Sequence, residues 1–422
     1  WRGAEVSNIL EFEAHFPHPT VVKLEQNYRS TNSILGTANS LIKNNPRRRP
    51  KALWSASDGG DKVRVIQMPD DRQEAQFIAG EIHRRQTLES AKWEDFAILF
   101  RMNAQSRLLE TNLRELHIPY RIIGGKSFFD RREVKDLLAY ASSILNTDDD
   151  VSLLRIINTP ARGISPGTVE RAVGLSTRLH CSVYEALKHP TLREELGARA
   201  ISSIDSFVEL LDRYETKLHE PLVNQAEVIR ELIKEVGFLE DLRRSCKTED
   251  DALKRESNVR DMIASIEEHA GRSTEGIRGF LDEMMLRQEN EEDDDEMKGQ
   301  GVTLITLHAA KGLEFPHVYL IGLEEGVLPH DRSKVEGTVD EERRLLYVGI
   351  TRAMRTLALT WCRSRLKYGS AMPCTPSSFI KELPVELIDR RDLAEILNAP
   401  VSEVSVKQGF AGIFAALNRV TD

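Results

Sequence analysis

Residues 63–100 read VRVIQMPDDRQEAQFIAGEIHRRQTLESAKWEDFAILF, and the hydrophobic pattern changes twice within this stretch. Short runs rich in Val, Ile and Phe occupy its two ends, at Val63–Gln67 and Phe96–Phe100. Between them, Glu74–Arg85 repeats its apolar residues at helical spacing, which places them on one face of a helix. A strand, a helix and a second strand in this order indicate a βαβ unit of a parallel sheet, so we predict an α/β fold.

Similar apolar runs predict three further strands, at Val21–Leu24, Val302–Leu307 and Val318–Ile321. Between about Asp130 and the acidic run Glu291–Glu296, strand-like runs vanish and helical patterns remain. We therefore predict a discontinuous parallel-sheet domain that is interrupted by a large all-α insert. The predicted bounds are 1–128 with 296–384 for the sheet domain, 129–295 for the insert, and 385–422 for a C-terminal tail with a short helix.

The composition is that of ordinary globular material, because 422 residues with 40% hydrophobic and 30% charged side chains suit two or three domains. The four cysteines show no metal-ligand spacing, which argues against a zinc site and favours a reducing, cytoplasmic environment. The longest apolar runs fall far below the roughly 18 residues of a membrane span. The first residue is Trp1 rather than Met, so we expect the chain to be truncated from a larger protein.

The net charge of −9 hides an uneven distribution along the chain. Residues 1–136 carry 22 Lys and Arg against 18 Asp and Glu, a balance of +4, which leaves −13 for the rest. Local patches govern phosphate binding, so the acidic total does not exclude a DNA-binding groove.

Two short polar stretches, QNYRS at Gln26–Ser30 and YVGITRA at Tyr347–Ala353, each place an arginine beside a tyrosine or threonine. Arginines supplied in this way reach a nucleotide that another domain holds. No glycine-rich phosphate loop accompanies them, because Gly125–Ser127 has the right last three residue types but Tyr120 stands where the first glycine is required. The sequence therefore contains the arginine side of an ATP site without the side that holds the phosphates.

QNYRS, TLHAAKGLEFP at Thr306–Pro316 and EERRLLYVGITRA at Glu341–Ala353 together resemble the motifs of superfamily 1A DNA helicases of the UvrD/PcrA/Rep type. Further matches follow in the expected order, namely WRGA at Trp1–Ala4, NAQSR at Asn103–Arg107 and GLEEGVLPH at Gly322–His330. The resemblance implies a second RecA-like domain of the P-loop NTPase type, called 2A, with its mobile helical insert, called 2B. It also implies ATP and Mg²⁺ as cofactors, with the phosphate loop and the Mg²⁺ ligands in an N-terminal RecA-like domain upstream.

By this resemblance, the chain is the C-terminal half of an ATP-dependent DNA helicase that moves 3′ to 5′ on single-stranded DNA. Lacking the phosphate loop, it is expected to be inactive as an ATPase by itself. The implied partners are single-stranded DNA, single-strand/duplex junction DNA, the protein's own N-terminal RecA-like domain, and repair or replication proteins. No membrane partner is expected.

Arg29 and Arg352 are the two candidate catalytic residues, because a guanidinium from a facing domain neutralises the charge that spreads over the γ-phosphate oxygens. The resemblance adds Tyr28, which would stack on adenine, and Glu314, which would accept a hydrogen bond from the ribose hydroxyl. Considered alone, Arg29 is better explained by a salt bridge at the start of a helix. The motifs in their order favour the nucleotide role.

Single-stranded DNA needs flat faces for its bases and hydrogen-bond donors for its phosphates. The candidate DNA-binding residues, implied by the resemblance or added to it, are Trp1, Arg2, Arg101, Asn103, Arg107, Thr306, His308 and Tyr368. In the insert, the turn Thr159–Ser165 is a candidate for contact with a duplex backbone, with Arg162 reaching a phosphate. No residue is predicted to bind a metal.

Two alternative hypotheses stay open. The first is a non-catalytic DNA-binding or protein-interaction module derived from a helicase, in which the motifs have no catalytic use. The second is the nuclease-coupled branch of the same superfamily, which we rank lower because nothing after Pro384 forms the carboxylate and lysine cluster of a nuclease.

Overall fold

The computed structural model describes residues 16, 20–46, 48, 53–56, 59–220, 223–272, 275–285, 301–367 and 370–398. The chain divides into two compact units, which we call the sheet unit and the helical unit. The sheet unit comprises residues 1–126 with 294–422, and the helical unit comprises residues 127–293. The predicted insert spans 129–295.

The elements follow one another in three blocks along the chain. The sheet unit begins with α1 (Asn32–Lys43), β1 (Val63–Asp70), α2 (Asp71–Glu89), β2 (Phe96–Phe100), α3 (Ser106–Glu115) and β3 (Tyr120–Ile123). The helical unit contains α4 (Arg132–Leu145), α5 (Asp150–Ile156), α6 (Pro166–Leu179), α7 (Val183–Lys188), α8 (Pro190–Glu194), α9 (Ala198–Leu218), α10 (Gln225–Glu235), α11 (Phe238–Ser245), α12 (Glu249–Arg272) and α13 (Gly276–Met285). The sheet unit then resumes with β4 (Val302–Thr306), β5 (Phe315–Leu320), α14 (Asp331–Val335), α15 (Val339–Ile350), β6 (Ala353–Lys367), β7 (Ser370–Pro373), β8 (Ile388–Asp392) and α16 (Leu393–Asn398). Within the described part of the chain, none of these helices has the length and hydropathy to cross a membrane.

The strands form one sheet in the order β3-β4-β2-β5-β6-β1-β8, and every neighbouring pair along this path is parallel. A short antiparallel strand, β7, pairs with β6. The predicted α/β fold with a parallel sheet is confirmed, and the sheet is assembled from segments on both sides of the helical unit. It also extends beyond the predicted limit at residue 384, because β8 pairs with β1. β8 reads IDRRD and was missed because charged residues, typical of an edge strand, hide its pattern.

The predicted strand at Val21–Leu24 is wrong. The described residues 20–25 form no regular secondary structure, and Val22 and Leu24 are 75% and 78% exposed. Gln26, two residues beyond the predicted strand, makes an isolated bridge with Trp54. Apolar composition favours a strand only where a neighbouring strand offers free backbone groups, and this segment has no such neighbour among the described residues.

β2 shows why the sheet is buried on both faces. All five of its residues, FAILF, are buried. Ala97 and Leu99 pack into the core that includes residues of α1 and α15, whereas Phe96, Ile98 and Phe100 pack into the core that includes residues of α2 and α3. A strand in the middle of a parallel sheet is covered by helices on both faces, so a continuous apolar run is the expected sequence.

The helical unit has its own continuous apolar core, to which its helices contribute. At the turn between α5 and α6, Ser165 caps α6 by accepting from the backbone of Thr168. Arg162 does not point outward from this turn: its Nη1 donates to the carbonyl of Ile156 at 2.6 Å, and its guanidinium lies 4.8 Å from the ring centroid of Phe207. Arg162 therefore stabilises the end of α5, and its contact with a phosphate stays a prediction.

Gly349 lies on the inner face of α15, where a Cβ atom would be 2.5 Å from Cδ2 of Leu307 and 2.8 Å from Cδ1 of Leu320. We expect Gly349→Ala to lower the free energy of unfolding of the sheet unit by about 1–3 kcal/mol, because overpacking forces the neighbours to shift. The control is Gly80→Ala in α2, where nothing lies within 4 Å of the new Cβ. That change should stabilise the unit by about 0.5–1 kcal/mol, since alanine is the better helix former.

Urea unfolding followed by tryptophan fluorescence measures this comparison selectively. Trp54, Trp93 and Trp361 belong to the sheet unit, and the sequence of residues 127–293 contains no tryptophan. Equal stabilisation by both alanine substitutions would contradict the close packing of α15 on the sheet.

His317 in β5 is 7% exposed and neutral. Nη2 of Arg85 lies 3.4 Å from its Nε2, and its Nδ1 lies 2.9 Å from Oγ1 of Thr356. Because an arginine can only donate, Nε2 is the acceptor and the ring proton is on Nδ1. Burial, and secondly the charge of Arg85, lower the pKa of His317 to about 4.

This lowered pKa makes the sheet unit sensitive to acid. An unfolded histidine titrates near pH 6.5, so between about pH 6.5 and pH 4 the unfolded chain binds a proton that the folded chain does not, and stability falls as the pH falls. His317→Gln should remove about 2–3 kcal/mol of this dependence, measured by urea unfolding at pH 7 and pH 4. The control is His117→Asn, an exposed position with φ 53° that asparagine tolerates. An unchanged pH dependence in His317→Gln would contradict the assignment.

Candidate nucleotide and DNA sites of the sheet unit

The QNYRS turn is fixed to the start of β6. Oδ1 of Asn27 accepts from the backbone N–H groups of Arg29 and Ser30 at 2.8 and 2.9 Å, which forms an Asx turn. The buried Oγ of Ser30 then donates to the carbonyl of Ala353 at 2.7 Å. These bonds join two motifs that lie more than three hundred residues apart in the sequence, and they place Arg29 beside the residue that precedes Ala353, which is Arg352.

Arg352 is held by backbone carbonyls and a hydroxyl. Its Nε donates to Val348 at 3.0 Å, its Nη1 donates to Leu313 at 2.9 Å, and its Nη2 donates to Oγ1 of Thr351 at 3.2 Å. Burial and then the positive charge of Arg29 lower the pKa of Arg352. The side chain of Arg352 is thus oriented by neutral acceptors. None of these three hydrogen bonds is to a carboxylate that would offset its positive charge.

Arg29 has a carboxylate partner. Its Nε donates to Oε2 of Glu314, and its Nη1 donates to the carbonyl of Thr351 at 3.4 Å. The structure therefore brings together Arg29, Arg352 and Glu314, the three charged residues that were predicted for the nucleotide site. Tyr28 is adjacent and 82% exposed, and its hydroxyl donates to Oε1 of Gln26 at 2.8 Å, so its ring presents a flat face to solvent.

The parallel sheet sorts the predicted residues into two groups. Glu314 immediately precedes β5 and Arg352 immediately precedes β6, so both lie at the amino edge of the sheet. Thr306 is the last residue of β4 and Asn103 follows β2 by three positions, so both lie at the carboxyl edge. The segment between Thr306 and Glu314 therefore connects the predicted DNA contacts to the predicted nucleotide contacts.

At the carboxyl edge, the glycines after β3 explain the false phosphate loop. Gly124 has φ 79°, and a Cβ there would lie 2.8 Å from Cβ of Ala309. A Cβ on Gly125 would lie 3.3 Å from Oδ1 of Asn103. The left-handed backbone at Gly124, and the close packing of both residues on the neighbouring segments, favour glycine here without a phosphate.

The predicted DNA-binding side chains differ in their surroundings. Asn103 and His308 are exposed, whereas Thr306 is half-buried and its Oγ1 accepts from the backbone of Ala309 at 3.3 Å. Arg107 lies on α3 and is half-buried. Three further predictions, Trp1, Arg2 and Tyr368, lie outside the described residues.

Arg101 is bound by a carboxylate that the sequence did not reveal. Its Nε and Nη2 donate to the two oxygens of Glu342, each at 3.0 Å. Glu342 also accepts from the backbone of His330 at 3.2 Å. Burial raises the pKa of Glu342, but the hydrogen bonds and charge of Arg101 outweigh it and lower the pKa. Glu342 therefore orients Arg101, and contact of Arg101 with DNA stays a prediction.

A second group that the sequence did not reveal is a buried ion network beneath the β6–β7 hairpin. Nε of Arg365 donates to Oε2 of Glu324 at 2.6 Å, and Nη2 donates to Oε2 of Glu74 at 2.8 Å. Although burial lowers the pKa of Arg365, the two carboxylates outweigh it and raise the pKa. Glu74, Glu324 and Cys362 are close enough together to suggest a metal site. The guanidinium already binds both carboxylates and neutralises charge there, so these residues form a structural network instead.

The fold and these contacts define an α/β domain with a pair of arginines at the amino edge of a parallel sheet. Polar residues that are candidates for DNA binding lie at the carboxyl edge. The chain belongs to the family described as UvrD-like helicase C-terminal domain, whose family model matches residues 22–364.

The curated relatives agree with this family. The ATP-dependent DNA helicase PcrA of Staphylococcus aureus (strain MRSA252) is 37% identical over 418 residues, which cover 97% of this chain and 56% of that protein. PcrA of Staphylococcus epidermidis (strain ATCC 12228) is 38% identical over 398 residues, which cover 92% of this chain and 53% of that protein. The chain thus spans about half the length of the curated relatives it matches.

A solved structure, the C-terminal domain of a possible DNA helicase from Lactobacillus plantarum WCFS1, covers 86% of this chain and 98% of its own. The TM-score is 0.32 and the identity is 12%, a similarity too low to support any statement about the chain.

The buried ion network gives the prediction for this part of the molecule. Arg365→Met should lower the free energy of unfolding of the sheet unit by about 3–5 kcal/mol, because it leaves the carboxylates of Glu74 and Glu324 buried without a positively charged partner. The matched control is Arg363→Met, two positions away on β6, whose partner Asp392 is bonded at the surface. That change should cost less than about 1 kcal/mol. Equal losses in tryptophan-detected urea unfolding would contradict the structural role of Arg365.

Proposed function

We propose that this chain supplies the arginine side of the ATP site, and part of the single-stranded DNA path, of an ATP-dependent DNA helicase that moves 3′ to 5′. The observation that carries the proposal is the meeting of Arg29, Arg352 and Glu314 at the amino edge of the sheet. A phosphate loop and the Mg²⁺ ligands would come from a second RecA-like domain facing this edge.

The residues at the amino edge fit a nucleotide that approaches from a facing domain. Both guanidinium groups contact Thr351, and that of Arg352 is oriented by neutral acceptors that leave its charge available to a phosphate. Arginines that stabilise the developing charge on the γ-phosphate contribute about 10³ to 10⁵ in rate in related nucleotide hydrolases. The exposed ring of Tyr28 would stack on adenine.

Mg²⁺ would neutralise phosphate charge when it is bound with ATP. Among the described residues at this edge, the carboxylate nearest the arginines is that of Glu314, and it is bonded to Arg29. This edge therefore suits the role of positioning charge on the γ-phosphate rather than that of holding the metal.

DNA would bind at the opposite edge of the sheet. Thr306 and His308 would contact backbone phosphates there, and Asn103 with the neighbouring arginines would extend the path. Seven residues separate Thr306 from Glu314, and this segment passes from one edge of the sheet to the other. A displacement caused by nucleotide at the amino edge would thus be transmitted through a short, direct connection to the DNA contacts.

The test is single-stranded-DNA-stimulated ATP hydrolysis by a protein that joins this chain to an upstream domain with a phosphate loop. Arg352→Ala and Arg29→Ala should each lower kcat by about 10³ or more, because each removes charge stabilisation from the transition state. ATP should still bind to both variants. The control is Arg332→Ala, an exposed arginine paired with Glu336, which should hydrolyse ATP at the wild-type rate.

This chain by itself should hydrolyse no ATP. Undiminished turnover in both active-site variants would show that the ATP site is elsewhere and would favour the non-catalytic DNA-binding module. Turnover by the chain alone would show that it holds a complete ATP site of its own, which contradicts the proposal.

A further inference from the structure

The contact between Arg29 and Glu314 occupies the part of Arg29 that a phosphate would use. The Nε and Nη donors of a guanidinium form a planar fork that binds carboxylate and phosphate oxygens in the same way. Nε of this fork donates to Oε2 of Glu314. A phosphate that reaches Arg29 must therefore compete with the carboxylate for the same donor.

The geometry allows this competition. The side chains of Arg29 and Glu314 are 28% and 48% exposed, so the pair is open to solvent and to a ligand. The backbone beside Glu314 is held, because the N–H of Phe315 donates to the carbonyl of Arg352 at 3.0 Å. Departure of Glu314 from Arg29 thus requires rotation of one exposed side chain and no rearrangement of the sheet.

The charges give Glu314 a function while no phosphate is present. Arg29 and Arg352 repel each other, and the contacts of Arg352 with Leu313, Val348 and Thr351 are to neutral atoms. Glu314 is bonded to Arg29, and its negative charge also opposes the effect of Arg29 on the pKa of Arg352. The carboxylate therefore offsets part of the repulsion between the two arginines.

We propose that Glu314 is a displaceable substitute for the phosphate, which pairs with Arg29 in the empty site and is released when a polyphosphate binds. This inference rests on the proposed function of the arginine pair. The released carboxylate is then free to accept a hydrogen bond from the ribose hydroxyl, so the two roles of Glu314 follow one another in time.

Tripolyphosphate separates the two roles, because it carries phosphates but neither ribose nor base. Its dissociation constant would be measured by ³¹P NMR titration of this chain. Glu314→Gln keeps the shape of the side chain and removes its charge, and it should bind tripolyphosphate about two- to fivefold more tightly than wild type, as expected for loss of an exposed competing ion pair. Glu336→Gln, at a carboxylate that is also 48% exposed and paired with Arg332, removes the same charge elsewhere and should bind as wild type does.

The double variant Arg29→Gln with Glu314→Gln distinguishes pairing from a general effect of charge. If Glu314 competes for Arg29, the gain from Glu314→Gln disappears in the Arg29→Gln background. If the gain persists there, it arises from general repulsion and the proposal is overturned.

The remaining outcomes distinguish this inference from the proposed function. If Arg29→Gln weakens tripolyphosphate binding but Glu314→Gln does not strengthen it, the displacement is overturned and the nucleotide site stands. If Arg29→Gln and Arg352→Gln both leave tripolyphosphate binding unchanged, or if no variant binds tripolyphosphate, the displacement is overturned, whereas the proposed function is decided by ATP hydrolysis in the upstream-extended protein.

Discussion

Parallel pairing along the whole path from β3 to β8 is the constraint on which the arrangement of both candidate sites depends. In a parallel sheet, the residue before each strand lies at one edge and the residue after each strand lies at the other. Glu314 and Arg352 precede β5 and β6, whereas Thr306 ends β4, so the order of residues around each strand decides which site they join. The two sites are thereby separated by the length of a strand and linked by the segment that follows β4.

Long-range polar contacts then fix the details that the sheet leaves open. Ser30 bonds to the start of β6 and so brings QNYRS to Arg352, and Glu342 orients Arg101 at the opposite edge. Beneath the hairpin, Arg365 joins carboxylates from α2 and from the segment after β5. Buried charges of this kind are costly unless they are paired. The pairing of Arg365 with both carboxylates therefore favours one arrangement of α2, the segment after β5 and the hairpin.

Sequence patterns correctly predicted the elements whose burial by neighbouring elements gives a simple hydrophobic pattern. The βαβ stretch at Val63–Phe100 was predicted correctly, because a strand covered on both faces and a helix with one buried face each leave a clear hydrophobic pattern. The prediction at Val21–Leu24 failed because composition could not show that this segment has no neighbouring strand among the described residues. β8 was missed for the opposite reason, since its charged sequence conceals a strand that backbone pairing alone creates.

The same distinction holds for the sites. Arg29 and Arg352 were predicted from the two polar stretches and Glu314 from the resemblance, but their mutual contacts were not predicted, because no pattern in the sequence encodes pairing across nearly three hundred residues. Glu342 and Arg365 belong to the same class of long-range partners. Asn27 is different: an asparagine just before the arginine is a local signal for an Asx turn and was available in the sequence.

The most direct test of the central claim is a structure of the upstream-extended protein bound to a non-hydrolysable ATP analogue. The claim expects Arg29 and Arg352 both to donate to γ-phosphate oxygens, at about 3 Å, with the nucleotide at the amino edge of the sheet. A nucleotide bound elsewhere, or one whose γ-phosphate contacts neither arginine, would contradict it.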